Sequence, residues 1–184
     1  MASPQAKTIV DYVWRDTTGQ SGASIYAIVD AARQEKIYPT LFRSGNDHIC
    51  LYQGAKAQEL AYVAPYLVAL GRDDSFTQWL IGNGWGDSRA IFAASSASLR
   101  DLRQHFRKFL TVFDEEGKSL LFRYYDPRVL RVYLPTCNAS ELKLIFGPVD
   151  RYALESEKGD AIVEYSFIND ALVENTFQVG AKAQ

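Results

Sequence analysis

Residues 98–128 read SLRDLRQHFRKFLTVFDEEGKSLLFRYYDPR, and the change of period inside this stretch decides the fold class. Ser98 and Asp101 stand as a capping box, a hydroxyl that accepts from a free N–H and a side chain three residues on that reaches back. Leu99, Leu102, Phe106, Phe109 and Leu110 then form an apolar stripe at helical spacing. The period changes at Thr111. Thr111-Val112-Phe113, the polar run Asp114 to Lys118 and the segment Ser119 to Tyr125 predict a β-hairpin, with Gly117 at its left-handed position. Asp126-Pro127 starts another helix, because Asp caps well and the missing N–H of Pro costs nothing at the first helical position. Helix, hairpin and helix thus follow one another directly.

Working outward, Ile25 to Val29 predicts a buried strand ended by Asp30, and Pro65 to Leu70 is another apolar run ended by Gly71. Leu51-Tyr52-Gln53-Gly54 is a short strand or turn. Ala31 to Phe42 has helical composition that Pro39 must break or kink. Ser75-Phe76-Thr77-Gln78 resembles a second capping box, and Asn138-Ala139-Ser140-Glu141 a weaker one. Tyr152 to Leu154 and Ala161 to Ile168 add late strands. Strands and helices interleave around at least one hairpin, so the expected class is α/β of the mixed α+β kind. The expected architecture is a mixed sheet with flanking helices, in one compact domain or two small lobes. Residues 1–24, with the polar loop Thr17 to Gly22, are expected as a flexible N-terminal arm. Residues 25–154 form the main domain, and 155–184 an acidic C-terminal extension containing a strand.

Composition narrows the function classes. The chain has 184 residues, 47% apolar, and carries 20 basic against 22 acidic side chains, a net charge of −2. That balance removes the electrostatic basis for coating DNA or RNA. A chain of this size buries about 70% of its unfolded surface and needs no metal or disulfide staple. No apolar run approaches the roughly 20 residues of a membrane helix. The N-terminus lacks the apolar core of a signal peptide, so a soluble cytoplasmic protein is expected. Cys50 and Cys137 are far apart, outside any Cys-x-x-Cys pair, and read as buried reduced thiols. The 11 Tyr, 10 Phe and 3 Trp against a single Met are the unusual part, suited either to a core or to a recognition surface.

Catalytic chemistry finds few candidates. His48 and Cys50 would share one face of a strand, but no elbow motif accompanies them. His105 reads as a solvated or cap-side histidine on a basic helix. Gly82-Asn83-Gly84-Trp85-Gly86 fails as a phosphate loop: its third Gly comes one residue early, and it leads from helix to strand. A helix C-cap with a packed Trp85 fits better. Arg123-Tyr124-Tyr125-Asp126-Pro127-Arg128 is the densest polar cluster. In it Asp126 caps a helix and Arg123 is suited to a buried bridge with a carboxylate such as Asp30. Arg100, Arg103 and Arg107 share a helical stripe joined by Lys108, either a solvated face or a docking face for an acidic partner. Opposite charge gathers at Glu155, Glu157, Asp160, Glu164, Asp170 and Glu174, able to pair with that stripe or with another chain.

Several phrases occur in a telling order: Tyr26-Ala27-Ile28-Val29-Asp30-Ala31-Ala32, Leu51-Tyr52-Gln53-Gly54, Ala64-Pro65-Tyr66-Leu67-Val68, Trp79-Leu80, Gly84-Trp85-Gly86, the helix from Leu99, and Phe122-Arg123-Tyr124-Tyr125-Asp126-Pro127-Arg128-Val129-Leu130. From about Ile25 to Leu154 the chain resembles a domain-of-unknown-function family of bacterial type VI secretion effector chaperones, or adaptors. Their genes typically lie between those of a VgrG spike protein and a toxic effector. The resemblance implies a non-enzymatic protein of the donor cytoplasm that binds a cognate effector and helps load it onto VgrG. It implies no cofactor, no metal, no nucleic acid and no membrane insertion. On this reading Trp85, Tyr124, Tyr125 and Arg128 contact the effector, while Asp30, Arg123, Asp126 and Pro127 hold the geometry of the cradle. Arg100, Arg103 and Arg107 offer a charged docking face. Some larger relatives carry a longer C-terminal lobe than this chain holds. The competing readings are an immunity-type or generic interaction module and a small hydrolase built on His48 with Cys50, or on Asp30 with Asp126.

Overall fold

A computed structural model describes residues 3–17 and 22–180. Its α-helices are α1 (Pro4–Val13), α2 (Ile37–Ser44), α3 (Gly54–Glu59), α4 (Ser75–Gly84), α5 (Leu99–Arg107), α6 (Pro127–Tyr133) and α7 (Ala139–Phe146). The strands are β1 (Ser24–Asp30), β2 (His48–Cys50), β3 (Pro65–Leu70), β4 (Ala90–Ser95), β5 (Thr111–Phe113), β6 (Ser119–Leu121), β7 (Arg151–Glu155), β8 (Ala161–Ile168) and β9 (Ala171–Gln178). Seven strands form one sheet in the order β2-β3-β1-β4-β7-β8-β9, antiparallel at every pairing. β5 and β6 form a separate two-stranded sheet. The class is the mixed α/β expected.

Neighbouring residues of β7 show that both faces of the sheet are covered. Arg151 donates to the Val13 carbonyl at the end of α1, whereas the Tyr152 hydroxyl donates to the Ile145 carbonyl of α7. Adjacent strand residues point to opposite faces, so α1 and α7 lie on opposite sides. Phe106 of α5 packs on Tyr152, which puts α5 with α7. Trp85, following α4, packs on Phe92, whose β7 partner Ala153 shares the face of Arg151, so α4 lies with α1. Being covered twice, β4 and β7 are buried along their whole length. This explains why AIFAAS of β4 is a nearly continuous apolar run, while the two charged ends of β7, Arg151 and Glu155, are spent on internal bonds.

Helix starts follow capping chemistry. Asn138 and Glu141 form the complete box at α7, and Ser98 accepts from Asp101 N–H at α5. Asp126 caps α6, with Pro127 in its first turn. Two expectations need correction. Ser75 is not a cap: Asp74 holds that position, and its carboxylate instead accepts from Gly71 N–H and the Asn46 side chain. Pro39 does not break its helix either. The segment begins late, at Ile37, which places Pro39 in the first turn, where no intrahelical N–H bond is lost.

The described parts of both terminal segments are also integral. Pro4–Val13 is a helix with Ile9 and Val13 in the core, where an arm was expected; most of the Thr17–Gly22 loop lies outside the described residues. Residues 155–178 are likewise part of the sheet. The buried Glu164 carboxylate is held by Arg15 at 2.7 Å and Arg151 at 3.0 Å, so its charge is answered from the turn after α1 and from β7. Among the described residues no ion pair joins the acidic segment to Arg100, Arg103 or Arg107. One sheet runs through the expected segments 25–154 and 155–184, and α1 of the first segment packs against it.

Candidate partner-binding surface

The Arg123 to Arg128 phrase is built on two carboxylates, Asp30 and Asp126. Asp30, fully buried at the end of β1, accepts from Ala32 N–H and pairs with the Arg123 guanidinium. Burial acts to lower the Arg123 pKa, but its bond to Asp30 outweighs this and raises it. The Tyr125 and Tyr52 hydroxyls interact beside this pair. Asp126 is chelated by Arg128 through Nε at 3.0 Å and Nη2 at 2.6 Å, while the same carboxylate caps α6 through Arg128 N–H. Burial pushes Asp126 up, yet the Arg128 bonds prevail and its carboxyl titrates below the ordinary value. The bridge to Asp30 and the Asp126 cap are as expected, and Arg128 remains half-exposed.

Trp85, Tyr124 and Tyr125 are only 4%, 4% and 1% exposed, which corrects their placement on a contact surface. Each ring is held from inside: Trp85 Nε1–H donates to the Gly159 carbonyl at 2.9 Å, and the Tyr124 hydroxyl to that of Phe106 at 2.9 Å. The loop after α4 is an anion cradle already filled by the chain itself. Glu155 accepts from Gly86 N–H and Ser88 N–H, both at 2.7 Å, which leaves those donors satisfied.

The hydrolase residues are similarly committed. Asp30 and Asp126 each have their own arginine. Burial pushes the Cys50 thiol up, the wrong direction for a nucleophile. His48 Nδ1 lies 2.7 Å from the Asn46 carbonyl, and the ring packs edge-on against Phe42. His105 is buried, contrary to the solvated role expected, with Nε2 2.8 Å from the Ile145 carbonyl. Among the described residues no group of three or more His, Cys, Asp or Glu side chains is placed to hold a metal ion.

What the surface does offer is apolar. Val112, Phe113, Leu120 and Leu121 of the β5–β6 hairpin are 39%, 71%, 44% and 46% exposed. Val112 opposes Leu120, and Thr111 opposes Leu121, so both faces of the ribbon carry apolar side chains. The ribbon is anchored at its base, where Phe122 N–H donates to the Leu110 carbonyl and the Phe122 ring packs on Tyr133. Gly117 at φ +78° closes its turn. Beside the base runs a groove of about 300 Å³ lined by Leu51, Tyr52, Lys56, Arg107, Leu110 and Thr111. Lys56 lies over the Tyr52 ring, and Arg107 continues the α5 stripe with the exposed Arg100. Arg103 is diverted from that stripe: its Nε donates to the Cys50 carbonyl at the edge of the sheet.

Residues 25–144 match the family described as domain of unknown function DUF4123. The chain belongs to this family. No curated protein and no solved structure matches it. The DUF4123 match spans β1 to α7 and takes in the hairpin, the groove and both carboxylate–arginine pairs.

The hairpin strands were legible in the sequence, but their exposure was not, since Thr-Val-Phe and Ser-Leu-Leu read equally well as buried strands. A second surface group escaped sequence reasoning altogether. Tyr38, Phe42 and Tyr62 stack beside β2, with Phe42 and Tyr62 exposed. These rings come from separate segments, and no single period announces them.

Proposed function

We propose that this DUF4123 protein is a non-enzymatic chaperone or adaptor that binds a cognate type VI secretion effector in the donor cytoplasm and promotes its loading onto a VgrG spike. The observation that carries the reading is the β5–β6 hairpin, an anchored ribbon whose four large apolar side chains are exposed on both faces. Contiguous exposed apolar surface of this kind marks a protein–protein contact. The resemblance of the ordered phrases to effector chaperones supplies the class of partner. Lys56 and Arg107 line the groove beside the ribbon's base, while Asp114, Glu115 and Glu116 occupy its turn, so the rim is mixed in charge and favours a client that is apolar at its centre with complementary charges around it. The Arg123–Asp30 and Arg128–Asp126 pairs serve this function indirectly, by fixing the turn from which the hairpin springs. Co-expression with each product of the genes flanking its own, followed by affinity purification of this chain, tests the reading. An effector that co-purifies in a stoichiometric, salt-sensitive complex supports it; neutralisation of a toxin domain without transfer to VgrG would favour an immunity-type module.

A further inference from the structure

The two edges of the seven-stranded sheet are treated differently. β2 spans only His48–Cys50, and Arg103 caps its outward Cys50 carbonyl, a common way of blunting an edge. β9 spans Ala171–Gln178, and its sequence ALVENTFQ contains no Pro, no Lys and no bulge. Val179 N–H donates to the Asp160 carbonyl, and antiparallel bonding alternates along the ladder, so Val173, Asn175 and Phe177 bond inward to β8. Leu172, Glu174, Thr176 and Gln178 therefore turn their N–H and C=O groups outward. Among the described residues no hydrogen bond reaches those groups.

We propose that β9 pairs with β9 of a second copy of this chain, antiparallel about a twofold axis at Asn175. The strand is self-complementary in that register. Leu172 opposes Gln178 of the other copy and Glu174 opposes Thr176, so four pairs form, each exchanging two backbone bonds, within the eight residues of β9. Val173 opposes Phe177 on the face where Phe177 already stacks on Tyr12 at 4.6 Å, which adds an apolar cluster from each copy. The neighbouring registers are poorer. An axis at Glu174 sets Glu174 against its own copy, a like-charge pair. An axis at Thr176 sets Leu172 against Gly180, which lies past the strand at φ +80°. The result is a closed twofold dimer with a continuous sheet and no remaining long edge. This inference does not depend on the adaptor reading.

The test measures mass by light scattering over a concentration series, together with oxidative crosslinking of Asn175→Cys. In the proposed register the two Asn175 residues form a non-hydrogen-bonded pair with Cα atoms about 4.5 Å apart, inside the range a disulfide spans. The expected result is a concentration-dependent dimer, and crosslinking of Asn175→Cys severalfold above both Ala171→Cys and the wild type with its native Cys50 and Cys137. Thr176→Pro removes an outward donor without touching a bond to β8, and should give a folded monomer. A monomer at every concentration, a dimer unaffected by a folded Thr176→Pro, or crosslinking no better at 175 than at 171 would each overturn the proposal. Should Thr176→Pro not fold, the crosslinking comparison decides alone.

Discussion

Arg123 and Arg128 belong to one short phrase but carry unequal structural weight. The partner of Arg123 is the fully buried Asp30, so truncating Arg123 strands a carboxylate in the core. Loss of one member of a buried pair costs roughly 3–5 kcal/mol, and the partial exposure of the guanidinium lowers this to about 2–3 kcal/mol for Arg123→Ala. Arg128→Ala leaves Asp126 with its backbone cap bond and should cost about 1 kcal/mol or less. Urea denaturation of the two variants checks the contrast. The Asp30–Arg123 bridge was legible because an interior arginine demands a carboxylate. The burial of His105 was not, since helical spacing places it between the apolar and basic faces. Burial holds its pKa below that of an ordinary imidazole, opposed by its bond to Ile145 and aided by Lys108. A depressed histidine stabilises the fold fully above its unfolded pKa, and that contribution is lost as pH falls through the folded value. Glu155, raised by burial, contributes in the opposite sense, so the informative quantity is a difference between variants. His105→Gln retains a donor toward Ile145 and should lose less stability than wild type between pH 7.5 and about pH 5.5.

At the scale of elements, the hairpin and the carboxylate turns separate stability from binding. The β5–β6 side chains contribute little to the core, so replacing Val112 and Leu120 by Thr should lower the unfolding free energy from urea denaturation by no more than about 0.5 kcal/mol. Threonine keeps the strand propensity while removing apolar contact surface. A larger loss would show that the ribbon packs more tightly than its exposure indicates. Helix positions were legible wherever a cap and an apolar stripe coincided, as at Ser98, Asp126 and Asn138. They were misplaced where one local signal was ambiguous. Ser75 mimics a cap because Asp74, the true one, spends its carboxylate on Gly71 and Asn46. The acidic segment misled for a related reason: charge counts along a chain do not reveal that Glu155 and Glu164 point inward to waiting N–H groups and arginines.

For the whole molecule, the near-neutral charge and the abundance of aromatic residues resolve into separate parts. Most of the rings fill a core on both faces of the sheet, Trp85, Tyr124 and Tyr125 among them. A smaller set, with the hairpin, remains outside. Sequence patterns supplied the class and most strands, but the strand order and the covering of both faces depend on contacts between segments far apart in the chain. The exposed apolar hairpin proposed as the binding surface has the same non-local origin, because exposure is defined by what fails to be covered. The proposed grip of the hairpin on an effector is open to direct measurement. The most direct measurement co-expresses the wild type and the Val112→Thr/Leu120→Thr variant with the flanking effector gene and compares effector recovery at matched thermal stability. Recovery with the wild type and its loss with the equally stable variant is the predicted result. Equal recovery with both would contradict the hairpin as the contact, and recovery of no effector by either would contradict the adaptor function itself.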